Sequence, residues 1–118
     1  MVLVDTSVWV EHLRRRHAEL EALLFAGKVV THPFVIGELA CGHIKNREEI
    51  FSLLRALPSA IEADHDEVMA FVEKYRLMGK GLGLIDMHLM ASALLSGMPL
   101  WTLDKSLRRE SARLDIAY

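Results

Sequence analysis

Cysteine is almost missing from this chain: Cys41 is the only one. No disulfide can close within the molecule, which fits a reducing compartment. A cysteine–histidine zinc set is excluded with it. The six histidines, His12, His17, His32, His43, His65 and His88, are scattered, and none forms a pair at i, i+4 spacing. Surplus positive charge is also missing. Fourteen Lys and Arg face sixteen Asp and Glu, for a net charge of −2, so this is not an evidently basic nucleic-acid binder. There is no basic-then-apolar leader and no apolar run long enough to span a bilayer, so the expected location is cytoplasmic. No repeat, low-complexity tract or linker breaks the 118 residues, and the expectation is one domain over 1–118. The glycine-rich stretch 79–83 lacks the lysine–serine/threonine ending of a phosphate loop. Ser7 has no evident histidine partner for a hydrolase triad.

Apolar residues, in contrast, are plentiful. They make up 52% of the chain, above the ~45–50% usual for soluble domains even with glycine counted. A small domain has much surface, so some of these side chains must stay outside or meet a partner. A homodimer, a protein-binding groove, or both are expected.

The apolar residues fall into alternating patterns. Residues 1–4 are an unbroken apolar run, as in a strand buried on both faces. Thr6 or Ser7 can cap the helix expected over 8–16, whose end is basic. A second helix is expected over 18–26, ending at Gly27. Residues 28–31 read as a strand. Pro33 then opens a helix carrying Glu38, and an amphipathic helix follows over 48–57, closed by Pro58. Residues 59–63 read as a weak strand. Asp64 and Glu67 form a capping box for a helix that runs to about Met78, where Gly79 breaks it. The longest apolar helix covers 84–96. Residues 100–103 read as a strand, 105–109 as a short basic helix, and 114–117 as an edge strand. Strands alternating with helices indicate an α/β domain with a mostly parallel sheet.

That architecture gives four scattered acids a common place. Ligands of open parallel sheets bind outside the carboxyl ends of the strands. Asp5 follows the first strand and Asp104 follows the strand at 100–103. Asp86 lies in the first turn of its helix and Glu38 in the second turn of its own, and both helices begin at that same edge. Taken singly, Asp5, Asp86 and Asp104 are equally helix caps or first-turn acids. Glu38 sits among apolar neighbours, which a cap does not explain. Crowded carboxylates repel unless cations lie between them, and hard divalent cations prefer oxygen ligands. Paired metals can activate water for phosphodiester cleavage. With the four acids discounted, the net charge of −2 becomes +2, so nucleic acid is permitted by charge though not indicated by it. Lys80 and Lys105 flank the acid-bearing elements and are the candidate RNA contacts. Trp9 and Trp101 are expected in the core.

Four segments carry a resemblance: Val-Leu-Val-Asp-Thr-Ser-Val-Trp at 2–9, Val-Ile-Gly-Glu-Leu at 35–39, Leu-Ile-Asp-Met-His-Leu-Met-Ala-Ser-Ala at 84–93, and Leu-Trp-Thr-Leu-Asp-Lys at 100–105. In this order they resemble the PIN-domain family and, within it, the VapC-like toxins. The resemblance implies a three-layer α/β/α fold and a Mg²⁺- or Mn²⁺-dependent endoribonuclease. It also implies a homodimer and silencing by a small antitoxin that occludes the active site. It makes Asp5, Glu38, Asp86 and Asp104 the catalytic and metal-binding acids, with Thr6 or Ser7, and Thr102, as supporting hydroxyls. His88 stands where many relatives carry a small or aliphatic residue, and no catalytic role is expected of it. Two alternatives are a binding module of the same fold without activity, and a phosphoryl-transfer domain with Asp5 as nucleophile. The second lacks the acid that often follows closely after the first, because Thr6 and Ser7 stand there.

Overall fold

The computed structural model describes residues 1–118. Its centre is a parallel sheet of three short strands, β1 (Val2–Val4), β2 (Val29–Val30) and β3 (Leu100–Trp101), in the order β2-β1-β3. Leu3 pairs with Val30 on one side and with Leu100 on the other. Every strand residue is buried, which is why the runs are continuously apolar and rich in β-branched valine. Single bridges extend both edges, Thr31 to Ser59 and Leu100 to Ala117. The strands expected over 59–63 and 114–117 are therefore reduced to one-residue pairings. Pro58 accepts from Thr31 N–H but has no N–H to give. Asp115 turns the chain through a positive φ of 61° just before the other bridge.

Seven helices surround the sheet: α1 (Thr6–Arg15), α2 (Ala18–Phe25), α3 (Pro33–Ala40), α4 (Arg47–Ala56), α5 (His65–Tyr75), α6 (Leu84–Ser96) and α7 (Lys105–Arg113). From β1 the chain moves outward to β2 and the Ser59 bridge, then returns across the sheet to β3. Parallel crossovers are right-handed, so this reversal sends the early helices to one face and the later ones to the other. Accordingly α1 packs on α3 and α3 on α4, while α5 packs on α6. The result is a three-layer α/β/α sandwich. Seven consecutive residues of α6, Met87 to Ala93, are buried; its neighbours Leu94 and Leu95 are exposed. One cluster of 26 apolar side chains, including Leu3, Val8, Leu20, Val35, Leu89 and Leu107, fills the interior. Trp9 and Trp101 belong to it, as expected.

Three helix ends differ from the sequence reading by two residues or more. α1 begins at Thr6 because Asp5 itself is the cap, accepting from Ser7 N–H. α5 ends at Tyr75, where Arg76 takes a left-handed conformation (φ 56°) and Leu77 N–H turns back to Val72 O. Gly79 lies beyond that stop. α7 runs on to Arg113 because Leu107, Glu110 and Ser111 form a buried stripe along it. The capping box at Asp64 and Glu67 is present, with bonds of 2.8 and 3.0 Å.

Candidate metal centre

The sheet reverses its order at β1, between β2 and β3, and the crevice at such a switch point is where ligands bind in open α/β sheets. Asp5 stands there. Its backbone N–H is tied to Trp101 O at 2.9 Å, which locks the ends of β1 and β3 together. Its carboxylate is buried, and Oδ2 accepts from Ser7 Oγ and Thr102 Oγ1, each at 2.7 Å. The two hydroxyls are themselves 3.3 Å apart. Leu103 N–H donates to Ser7 Oγ and Asp104 N–H donates to Thr102 Oγ1. The turn after β3 is thus laced to the turn after β1 through two hydroxyls.

The other acids are held in the same way. Asp104 caps α7, with Oδ2 accepting from Leu107 N–H at 2.8 Å. Asp86 Oδ2 accepts from Gly83 N–H at 2.9 Å, at the start of α6. Glu38 Oε1 accepts from Thr6 Oγ1 at 2.6 Å, which joins α3 to α1. The sequence left Thr6 and Ser7 as alternatives; the structure gives them different duties, Thr6 to Glu38 and Ser7 to Asp5. In all four carboxylates one oxygen is engaged inside the chain. The second, Oδ1 of each aspartate and Oε2 of Glu38, takes no hydrogen bond from it.

Asp86 registers the crowding. Its proton affinity is raised, first by burial and then by the charges of Asp5, Asp104 and Glu38, against the lowering effect of the Gly83 N–H. Even so, no three His, Cys, Asp or Glu side chains stand together closely enough to hold a metal ion by themselves. The donor set is all oxygen, four free carboxylate atoms spread along one edge. That chemistry fits a hard divalent cation that keeps most of its water and takes only one or two carboxylates directly. It does not fit a dehydrated zinc-type site.

Lys80 and Lys105 are exposed and make no ion pair. Lys105 is the first residue of α7, and Lys80 lies in the glycine-rich loop before Asp86. That loop is clamped in a way the sequence reading missed. Buried Glu110 accepts from Arg109 and Arg113, at 2.9 and 2.8 Å. Arg109 donates onward to Lys80 O, and Arg113 to Tyr75 O. Gly81 has φ +80° and lies so close to α7 that a Cβ there would stand 3.0 Å from Ser106 Oγ. The signal was an acid flanked by arginines on a helix otherwise read as a basic surface.

Two of the histidines, His32 and His88, are buried in packing roles. His32 is 1% exposed and caps α3, its Nδ1 accepting from Phe34 N–H at 3.0 Å. His88 is buried edge-on against Phe34, with ring centroids 4.7 Å apart. Burial lowers the proton affinity of both rings. On the far side of Glu38, a groove of about 540 Å³ runs between α1 and the loop after α3, lined by Arg14, His43 and Lys45 among others.

Known proteins resemble this chain along most of its length. The family model described as PIN domain matches residues 2–111. A protein named ribonuclease VapC32 in Mycobacterium tuberculosis is 47% identical over 99% of this chain and 95% of its own length. A protein named ribonuclease VapC1 in Methanocaldococcus jannaschii is 25% identical over 88% of this chain and 76% of its own length. The crystal structure of PAE2754 from Pyrobaculum aerophilum covers 99% of this chain and 87% of that one with a TM-score of 0.66, at 19% identity, and so shares the fold. Matched along nearly its whole length by the family model and by a close relative, this chain belongs to the PIN-domain family and, within it, to the VapC-like group.

Proposed function

We propose that this chain is a Mg²⁺- or Mn²⁺-dependent endoribonuclease, the toxin of a toxin–antitoxin pair. The observation that carries the reading is the shared state of Asp5, Glu38, Asp86 and Asp104. Each is fixed through one oxygen and leaves the other unengaged at the switch point of the sheet. The relatives named as ribonucleases support the choice of RNA.

When bound, a divalent cation supplies charge stabilisation for a phosphate oxygen and lowers the pKa of water. Asp5 and Asp86 are the leading ligands, with Glu38 and Asp104 acting directly or through water. Ser7 and Thr102 hold the Asp5 carboxylate in one orientation, and Thr6 does the same for Glu38. Asp86, whose burial and neighbours raise its proton affinity, orients the attacking water by accepting its hydrogen bond. Lys80 and Lys105, free of internal partners, draw the phosphate backbone to an otherwise acidic edge.

The phosphoryl-transfer alternative fits less well, because Asp5 is buried and one of its two oxygens is occupied by hydroxyls. An inactive module would not need four carboxylates kept half free. For partners, the proposal includes a homodimer and an antitoxin segment. The apolar hollow between α1, α2 and α4, with Trp9, Leu13, Leu24, Ile50 and Leu53 around it, suits the apolar face of a partner helix.

The test is RNA cleavage by the wild type and by Asp5→Asn, in EDTA and after added Mg²⁺ or Mn²⁺. Cutting that appears only with metal, and falls by roughly 10²–10³-fold in the variant, is the expected size for one preorganised electrostatic group. Equal cutting in EDTA would sink the proposal.

A further inference from the structure

Thr102 faces two ways. Its hydroxyl donates to Asp5, and the same residue lines a separate hollow of about 400 Å³ on the other side of the β3 turn. The hollow is walled by His17, Trp101 and Tyr118, with Glu19 and Arg108 at its polar part. Trp101 is the middle of an aromatic cluster, its ring centroid 5.1 Å both from His17, which meets it edge-on, and from Tyr118, which is tilted by 43°. Tyr118 keeps 42% of its surface open although its ring leans on Trp101. Its hydroxyl donates to Glu19 at 2.6 Å, which holds the ring in place and fixes a carboxylate beside it. Arg108 makes no ion pair and no side-chain hydrogen bond, unlike its neighbour Arg109.

These features answer the parts of a nucleotide. A planar base stacks on an open aromatic ring, and such stacking tolerates any base. An exocyclic amino or ring N–H finds an acceptor in Glu19. A phosphate finds an uncommitted guanidinium in Arg108. A free anion alone would be repelled by Glu19, and an apolar ligand would leave Arg108 unused. We propose that this hollow is a nucleotide subsite: it seats one residue of the RNA strand next to the scissile phosphate, the base on Tyr118 and a phosphate on Arg108. The inference rests on the ribonuclease reading for its substrate class. It adds a site, joined to the acids through Thr102, that neither the four carboxylates nor Lys80 and Lys105 account for.

The test separates binding from cleavage. A short fluorescent single-stranded oligoribonucleotide is titrated into Asp5→Asn protein, alone or combined with Arg108→Gln, Tyr118→Ala or Tyr118→Phe. Arg108 and Tyr118 are both at the surface, and circular dichroism checks that each protein, including the buried Asp5→Asn change, is folded. Affinity should fall about tenfold with Tyr118→Ala, within the range for one stacked base, and recover in part with Tyr118→Phe, which keeps the ring but loses its bond to Glu19. Arg108→Gln should lower the slope of log K against log salt by about 0.7, the value for one phosphate contact to a single strand. Unchanged affinity and unchanged slope in both Arg108→Gln and Tyr118→Ala overturn the subsite, even if the wild type cuts RNA. Binding that depends on both residues, in a protein whose wild type cuts no RNA, overturns the ribonuclease reading and leaves the subsite standing.

Discussion

Replacing Thr102 with valine keeps the shape of a buried side chain and removes one hydroxyl. That hydroxyl gives a 2.7 Å bond to the Asp5 carboxylate and takes a 3.1 Å bond from Asp104 N–H. A hydrogen bond to a charged group contributes roughly 1.5–3 kcal/mol, and a neutral one about 0.5–1.5 kcal/mol. Asp104 is exposed, so water can replace its lost acceptor and the second contribution stays at the low end. The expected loss is therefore about 2–4 kcal/mol in urea unfolding. At roughly 4 °C per kcal/mol for a domain of this size, Tm falls by about 8–16 °C. Thr102→Ser should restore most of it. The reasoning assigns the effect to the charge on Asp5, so the same change in an Asp5→Asn background should cost at least ~1 kcal/mol less, a coupling typical of residues in one network. Equal losses in both backgrounds, or a loss below ~0.5 kcal/mol in the wild type, would refute the assignment of Thr102 to Asp5.

Other consequences concern pH and charge. Asp86 has a raised folded-state pKa, so its contribution to stability is present below its ordinary 3.8 and lost as pH rises through the folded value. Metal-free Asp86→Asn should thus be at least as stable as the wild type at pH 7.5 in EDTA while cutting far less RNA; a marked destabilisation there would contradict it. His32 is lowered, first by burial, so its contribution is present above 6.5 and lost as pH falls through the folded value. Protonation would also take Nδ1 away from Phe34 N–H. Acidification from pH 7.5 to 5.5 should lower the urea midpoint, and His32→Asn, which can still cap, should flatten that profile; parallel profiles would argue against the role. Glu110 is lowered by Arg109 and then Arg113, so its stabilisation holds above 4.5 and is lost as pH falls further. Both arginines are half exposed, so Glu110→Gln should cost only about 1–2 kcal/mol. Hydrogen exchange should speed up in residues 79–83, and unchanged protection there would remove the clamp.

Much of this arrangement was legible before folding. The unbroken apolar run at 1–4 marks the central strand β1, buried on both faces, and the run at 100–103 marks its neighbour β3, which the structure shortens to Leu100–Trp101. The acids after them follow from the polarity of a parallel sheet. Asp5 and Asp86 were visible as a strand end and a first-turn position. What was hidden depends on contacts distant in sequence. Nothing near Thr6 shows that its hydroxyl reaches Glu38, 32 residues away, while Ser7 next to it turns to Asp5. Glu110 is buried through arginines whose backbone acceptors belong to α5 and the glycine-rich loop. The overreading of 59–63 and 114–117 as strands has a local cause: alternation of apolar residues does not reveal how few backbone groups find a partner.

The central claim is that four separated acids act as one cation site. Mn²⁺ binding to the metal-free protein, followed by electron paramagnetic resonance, tests it without reference to RNA. The account predicts saturable binding that weakens strongly in Asp5→Asn and in Asp86→Asn, less in Asp104→Asn, and not at all in Asp66→Asn, an exposed acid on α5 outside the cluster. Binding that is equally strong in all four variants, or missing from the wild type at millimolar Mn²⁺, would contradict it.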